Sequence, residues 1–346
     1  MRIAVDILGG DHAPGELLAG VARALREGFE PSELLLVGPA DVIGPGLEAA
    51  GVTAVPEILE TAEVIEGHEK PTEGLRRKPR ASISLCVGAV REGRADGLVS
   101  FGNTGAAVAA ATVGLGMLPG IRRPGIAVTM QGAGGRFVLL DAGANPTPRP
   151  RHLFQYGIMG SVFAASVLGI ERPRVGLLNI GGEAGKGNPV IQEAHALLQG
   201  SGLNFVGNLE GQDLFRGTAD VLVGDGFVGN MVLKVVEGFA EFLAQGLARQ
   251  AAEAGDAAAE ESLREGLRRL FGAADYADVG GAVLLGVNGS VFIGHGRSQA
   301  RAVHSALKVA REDIESGVNR KILEQLRREL EGAAPDESSS PEGHAG

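Results

Sequence analysis

The stretch Val175–Leu198, VGLLNIGGEAGKGNPVIQEAHALL, sets a short apolar run, a glycine-rich turn and a helical segment end to end. Val175 to Asn179 has the length and residue types of a buried strand, and Ile191 to Leu198 reads as a helix. The turn between them raises the question of phosphate. A nucleotide loop of the GxxxxGK[ST] type places four residues between its glycines and a hydroxyl after its lysine. Here three residues separate Gly181 from Gly185, and Gly187 follows Lys186. Glycine backbone and one cation are the material for holding a free anion, while the Mg²⁺-binding hydroxyl that a triphosphate wants is missing.

The strand, small-residue turn and helix recur along the chain. Arg2 to Asp6, Leu34 to Val37, Gly97 to Ser100, Ile126 to Met130, Phe137 to Leu140 and Val221 to Val223 read as further strands. Leu17 to Glu27, Ile83 to Glu92, His152 to Leu168 and Ala300 to Leu330 read as further helices. Such alternation predicts an α/β fold with a largely parallel sheet. Residues 1–332 are expected to form a single unit with a long helical excursion at about 228–275, and the polar tail 333–346 is expected to be disordered. Within the excursion, Leu263, Leu267, Leu270 and Phe271 share a helical face beside Arg264, Arg268 and Arg269. That face suits packing against the body or a second subunit, or an anionic membrane surface.

Ligands of parallel sheets settle beyond the carboxyl ends of the strands. Five loops there are alike in make-up, namely Asp6 to His12, Ser100 to Gly105, Asp141 to Asn145, Asn179 to Gly181, and Asp225 to Asn230. Each joins small residues to a carboxylate or amide, and together they are expected to converge on one cleft. Taken singly, each is explained by turn formation and helix capping.

Composition narrows the function classes. The 346 residues carry a formal net charge of −10, no Trp and 4% aromatic residues, which argues against a phosphate-backbone binder or a base-stacking platform. The lone Cys86 excludes an internal disulfide and any multi-cysteine metal site, and its apolar setting in SISLCVGAV marks it as a packed helix residue. The start MRIAVDILGG has neither the basic region nor the apolar stretch of a signal peptide, and no stretch of about 18 apolar residues is present to span a bilayer, so a cytoplasmic protein is expected. The seven histidines form no HxxxH or HExxH pair, and no GxSxG elbow occurs. A GxGxxA pattern at Gly44, Gly46 and Ala49 follows a helical-looking segment, so the strand-then-helix context of a dinucleotide fingerprint is lacking. Lys234 lies four residues beyond Asn230, one helical turn, and could share a pocket with it. Arg76, Arg77, Lys78 and Arg80 form a basic cluster suited to a solvated loop or to docking an acidic partner.

Eight ordered motifs carry a resemblance: DILGGDHAP, SFGNTGA, LLDAGAN, RPRHLFQYGIMGSVFA, LLNIGGEAGKGN, FVGNLEGQD, DGFVGNMVLKVVEG and GGAVLLGVNGSVFIGHG. In order and spacing they resemble the phosphate acyltransferases of bacterial phospholipid synthesis, from Met1 to about Leu330. The resemblance implies a homodimeric three-layer α/β/α fold similar to isocitrate dehydrogenase and phosphotransacetylase, peripheral at the cytoplasmic membrane face, with no cofactor or metal. It implies acyl carrier protein and inorganic phosphate as substrates, and a glycerol-3-phosphate acyltransferase downstream. Three departures stand out. Ala184 replaces the second carboxylate of an NxGxEExKG loop, Phe101 stands where SAGNTGA has Ala, and Val283 replaces Pro in GGAPLLG.

The implied reaction is direct attack of phosphate on a thioester, for which the protein supplies orientation and charge stabilisation. Lys186 with the Gly181, Gly185 and Gly187 backbone is expected to hold phosphate. Asn103, Thr104 and Asn145 are expected to donate to phosphate or oxyanion, with Asp225 and Asn230 orienting them, Lys234 as second cation, and Asp141 and Asn179 among the substrate-binding residues. Asp11 and His12 are candidates for proton management, and Gly9, Gly10, Asp11 and Gly102 are expected among the substrate-binding residues. The basic cluster is the expected carrier-protein dock. Rival readings are a coenzyme A-dependent phosphotransacetylase, a silent acyl or membrane-surface binding protein and, more remotely, a nicotinamide dehydrogenase.

Overall fold

The computed structural model describes residues 1–254, 261, 266 and 281–332. Apart from the isolated residues 261 and 266, the far part of the helical excursion with its amphipathic 263–271 segment, and the 333–346 tail, therefore lie outside the described residues. The strands are β1 (Ile3–Asp6), β2 (Leu34–Gly38), β3 (Glu57–Glu60), β4 (Gly97–Ser100), β5 (Gly125–Gly132), β6 (Gly135–Leu140), β7 (Arg174–Leu178), β8 (Asn204–Leu209), β9 (Val221–Val223), β10 (Ala282–Leu285) and β11 (Ser290–Ile293). The helices are α1 (Gly15–Arg26), α2 (Ala40–Ala49), α3 (Pro71–Arg77), α4 (Ser82–Arg91), α5 (Thr104–Gly114), α6 (Pro150–Val167), α7 (Pro189–Gln199), α8 (Gly226–Ala254), α9 (Ala300–Ser316) and α10 (Val318–Gly332).

The strands form one sheet in the order β3-β2-β1-β4-β11-β10-β5-β6-β9-β7-β8. Its two flanks are parallel, and the antiparallel pairings are β11 with β10, β10 with β5, and β5 with β6. The sheet is thus mixed and largely parallel. Because the odd number of reversals turns the second flank over, the strands of the two flanks point in opposite directions. The loops after β1, β4 and β11 leave one edge, and those after β6, β7 and β9 leave the other. This corrects the expectation that all five loops gather at one edge.

Side chains alternate between two cores, as strand geometry requires. Ile3, Val5, Leu36, Val138, Val175 and Phe292 meet α1, α2, α6, α7, α9 and α10 on one face. Ala4, Leu35, Leu98, Ile126, Val128 and Leu222 face α4, α5 and α8 on the other. The helix expected over Ala300 to Leu330 is interrupted at Gly317, which adopts φ 65° and whose N–H caps Asp313 and Ile314 carbonyls. A left-handed residue there ends α9 in the manner that glycine favours. Val283 lies in β10 between β11 and β5. The Val in place of Pro keeps an N–H in a strand that is paired on both sides.

Asp313 of α9 is 3% exposed and its Oδ2 accepts the Ser290 hydroxyl at 2.6 Å. Burial pushes its carboxyl up from 3.8 to about 6. Between those values the folded chain holds a proton that the unfolded chain has released, so stability is full below the lower value and is lost as pH rises through the upper one. About two pKa units correspond to about 3 kcal/mol at most. Asp313→Asn keeps an acceptor for Ser290 and removes the ionisation. Between pH 4 and pH 8 the urea midpoint of the parent chain should fall relative to that of the variant, the other titrating groups being common to both.

Candidate active site

A cavity of about 640 Å³ crosses the face of the sheet where the two flanks meet. Ile126 and Val128 of β5, Ala282 of β10 and Ile293 of β11 form its floor. One wall is α5, presenting Thr104, Gly105, Val108, Ala109, Thr112 and Val113. The other is the loop Ala142 to Asn145 with Asn230, Leu233 and Lys234 of α8. Gly294, His295 and Gly296 close the end beside the start of α5, and Arg123 and Pro124 stand at the end beside its finish. Among the described residues the lining contains Lys234, Arg123 and His295 and no carboxylate.

Each wall is fixed by a loop that the sequence marks. Asn103 caps α5, its Oδ1 accepting the Ala106 N–H at 3.0 Å, and its amide donates to the carbonyls of Glu66, Gly67 and Glu69, each at 3.2 Å. Its amide donors are thus engaged in holding the 66–69 strap, and this corrects its expected role as a donor to phosphate. A Cβ on Gly105 would lie 2.7 Å from Pro71, so the glycine lets α3 pack against the start of α5.

Asp141 is fully buried and gathers four backbone N–H groups. Its Oδ1 accepts Ile126 at 2.9 Å, Gly143 at 3.1 Å and Ala144 at 2.9 Å, and its Oδ2 accepts Asn145 at 2.6 Å. Burial raises its pKa, against the lowering effect of those four donors. The loop so formed receives α8: Gly226 donates to the Asn145 carbonyl at 2.8 Å, and any Cβ on Gly229 would collide with the Asp141 carbonyl. Close approach at that glycine brings Asn230 and Lys234 to the wall. Asp225 caps α8 through the Val228 N–H at 2.8 Å. Asn145 donates to Tyr156 at 2.7 Å and to the Pro124 carbonyl at 2.5 Å, so it braces the wall and has no amide donor left for substrate, a second correction.

The third loop carries only a faint mark in the sequence. His295 follows β11, and its Nδ1 accepts the Arg297 N–H at 3.3 Å. Burial first, then the nearby Lys234 and Arg297 charges, depress its pKa against the opposing pull of Glu237 and Asp11, so the ring is neutral at pH 7, and with Nδ1 accepting it carries its proton on Nε2. The Gly296 carbonyl accepts the Asp11 N–H at 2.7 Å, and Gly294 donates to Ser100 at 2.9 Å. Gly294 also leaves room for the ring of Phe101, whose bulk is buried behind the loop. A buried Asp6 organises the neighbouring turn by accepting Leu8 and Gly9 N–H groups and the Ser100 hydroxyl. Gly9 and Gly102 approach so closely that a Cβ on Gly9 would lie 2.7 Å from the Gly102 nitrogen.

Of the expected residues, Thr104, Asn145, Asn230 and Lys234 line the cavity, while Asp11 and His12 are exposed in a loop adjoining Gly296. Lys186 does not line it. Asn179 closes the glycine loop on itself, its amide donating to the Lys186 carbonyl at 3.1 Å, and Lys186 and Gly185 are exposed on the opposite flank. Cys86 is buried, and burial pushes its thiol well up, as a packed residue requires. The basic cluster is largely engaged: Arg77 pairs with Glu73 at 3.2 Å, Lys78 with Glu69 at 2.6 Å, and Arg80 donates to the Glu60 carbonyl at 3.1 Å. Two lining residues absent from the expected set, Arg123 and His295, had local signals: a paired arginine directly before a strand, and Gly-His-Gly directly after one.

The fold is shared with solved structures. The phosphotransacetylase from Streptococcus pyogenes superposes with a TM-score of 0.62 at 19% identity, covering 91% of this chain and 94% of that one. The EutD phosphotransacetylase from Staphylococcus aureus does so at 0.58 and 15%, with the same coverage. The class is therefore the α/β fold of the phosphotransacetylases. Within it, a family profile described as fatty acid synthesis protein matches residues 1–321. The phosphate acyltransferase of Desulfitobacterium hafniense strain DCB-2 is 46% identical over 332 residues, covering 95% of this chain and 98% of that relative. That of Heliobacterium modesticaldum is 45% identical over 338 residues, covering 96% and 99%. The chain belongs to the phosphate acyltransferase family.

Proposed function

We propose that the chain transfers a fatty acyl group from the thioester of acyl carrier protein to inorganic phosphate. A phosphate oxygen attacks the thioester carbonyl, a C–O bond forms, the C–S bond breaks, and the thiolate leaves and takes up a proton. The products are acyl phosphate and free carrier thiol, a feed for phospholipid synthesis. The observation that carries the reading is the cavity itself, whose apolar walls are joined to Lys234, His295 and Arg123 with no carboxylate among the described lining residues. A thioester brings apolar methylenes on both sides of its carbonyl, which the Val108, Ile126, Val128 and Leu233 surfaces bury. Phosphate and the tetrahedral oxyanion are anions, and cations in an apolar site stabilise both. Lys234 and the first N–H groups of α5 at Thr104 and Gly105 hold phosphate. The Nε2–H of His295 is the donor to the oxyanion or to the departing thiolate.

A second copy of the chain is expected on α8. Phe227, Met231, Val235, Phe239 and Phe242 recur at helical spacing and are all more than half exposed. An apolar stripe of that length is a subunit interface more readily than a solvated face. Association with the membrane surface would then be peripheral, since no helix among the described residues is long and apolar enough to cross a bilayer.

The test is formation of acyl phosphate, trapped as hydroxamate with hydroxylamine, from acyl carrier protein plus phosphate. Phosphate-dependent product with the carrier thioester supports the reading. Product from acyl coenzyme A alone would assign the coenzyme donor instead, and no product from either would leave a binding protein.

A further inference from the structure

Arg122, Arg123, Arg149 and Arg151 surround the N-terminal end of α6, and all four are exposed. The first, second and third of these lie near enough to His152 that each of their charges disfavours its protonation. None of the four pairs with an Asp or Glu among the described residues. In a chain whose formal net charge is −10, a concentration of unneutralised arginines is a local reversal of the field.

The segment that carries two of them is held rigidly. Gln155 of α6 accepts the Arg122 N–H at 3.1 Å and donates to the Gly120 carbonyl at 2.7 Å. Tyr156 donates to the Pro124 carbonyl at 3.1 Å, and Asn145 binds both Tyr156 and that carbonyl. Three buried or half-buried side chains thus pin residues 120–124 against α6 and present Arg122 and Arg123 outward. Arg123 also lines the cavity, at the finish of α5, whereas Lys234 and His295 stand near its start. From Thr104 to Val113 the wall runs nine helical steps, roughly 14 Å.

We propose that these arginines form the docking site for acyl carrier protein, taking the phosphodiester of its pantetheine arm and the acidic surface around it. The arm then enters the cavity beside Arg123 and delivers the thioester to Lys234 and His295. This rests on the acyl-transfer reading given above and moves the dock away from Arg76 to Arg80. A pantetheine arm has the span of between four and five peptide units, roughly 15 Å when extended, which matches the wall. Guanidinium groups suit bidentate contact with a phosphodiester. Four of them spread over two segments cover more surface than one phosphate needs, as a protein partner requires. Among the described residues the lining contains no Phe or Tyr on which an adenine could stack, which favours the carrier over coenzyme A.

The experiment measures KM for acyl carrier protein, acyl coenzyme A and phosphate in the full chain and in a double variant, Arg122→Glu with Arg149→Glu. The expected result is a rise of about tenfold or more in KM for the carrier donor, with KM for phosphate moving less than about twofold and a weaker dependence of the donor KM on salt. An unchanged KM for the carrier overturns the proposal. So does an equal rise for acyl coenzyme A, which assigns the cluster to a phosphate group common to both donors, and so does a larger rise in Arg76→Glu with Arg80→Glu, which returns the dock to α3. A parent chain without turnover of the carrier donor would instead defeat the acyl-transfer reading itself. Thermal unfolding of each variant separates loss of docking from loss of fold, and the phosphate KM reports an intact site in the same sample.

Discussion

Lys234→Ala is expected to lower kcat/KM for phosphate by roughly 100-fold, the scale of removing one preorganised charge donor from an acyl-transfer site. The lysine is held toward the cavity from α8, with Glu237 of the next turn as its ion-pair partner at 2.8 Å. In the open cavity that pair is half exposed and worth little. Once substrate excludes water the same charge acts at a lower effective dielectric, so its weight falls on the reacting complex and not on folding. Lys234→Arg should recover part of the loss, because it keeps the charge and changes the reach. The informative comparison is Lys186→Ala. Steady-state phosphate kinetics should change less than about threefold there if the cavity is the phosphate site. A loss at Lys186 equal to or above that at Lys234 would sink the cavity assignment and restore the glycine loop to the position its sequence suggested.

The second large effect is on stability. Asp141→Ala strips the acceptor from four backbone N–H groups at once, three of them in the loop that carries the cavity wall. Unsatisfied buried donors and the lost network place the cost at about 3–5 kcal/mol. Because burial raises the pKa of Asp141, ionisation takes from the folded parent chain stability that the Ala variant does not have to lose, so the deficit should be largest in acid and shrink as pH rises through the raised pKa. Asp141→Asn should fall between, since an amide keeps one acceptor and turns its NH₂ toward donors. Denaturant unfolding monitored by far-UV circular dichroism checks both. A variant as stable as the parent would show that the loop finds other acceptors.

The contrast between these two residues shows what the sequence held. β4 and β9 were legible residue for residue, because a run such as Gly97 to Ser100 has few other uses between turn formers. The loops were also legible as special places, but not the division of labour inside them. Asn103, Asp141 and Asn145 look like ligand-binding groups in a one-dimensional string, and the fold spends all three on holding backbone. Whether an amide faces substrate or a carbonyl is decided by partners such as Glu66 and Pro124, 37 and 21 residues away. The direction of the second flank was hidden for a related reason. Nothing local to β5 and β6 announces that the hairpin turns the sheet over, since Ile126 to Met130 has the apolar character of a strand in either sense. Lys186 stands out on local grounds that hold, an exposed cation among glycines. Its separation from the loops after β1, β4 and β11 depends on that reversal, since the loops after β6 and β9 leave the same edge as its own. His295 and Arg123 had the opposite fate, with local signals too faint to mark them and places in the cavity created by β11 and β5.

The place of β10 and β11 in the sheet has a bearing on how the chain is made. They sit between β4 and β5, yet they are the last strands to be synthesised, and Val291 pairs with Leu98 across most of the sequence. Until residues 282–293 have emerged, β4 and β5 each present an open row of N–H and C=O groups, and the cavity floor lacks Ala282 and Ile293. Closing such a separation is slow compared with forming a neighbouring βα unit. A nascent chain therefore spends its synthesis with a sticky seam through the middle of its sheet, shielded late by the same segment that brings in His295. Truncation between β9 and β10 leaves two half-sheets with open edges, and the two events, sealing of the seam and completion of the site, arrive together.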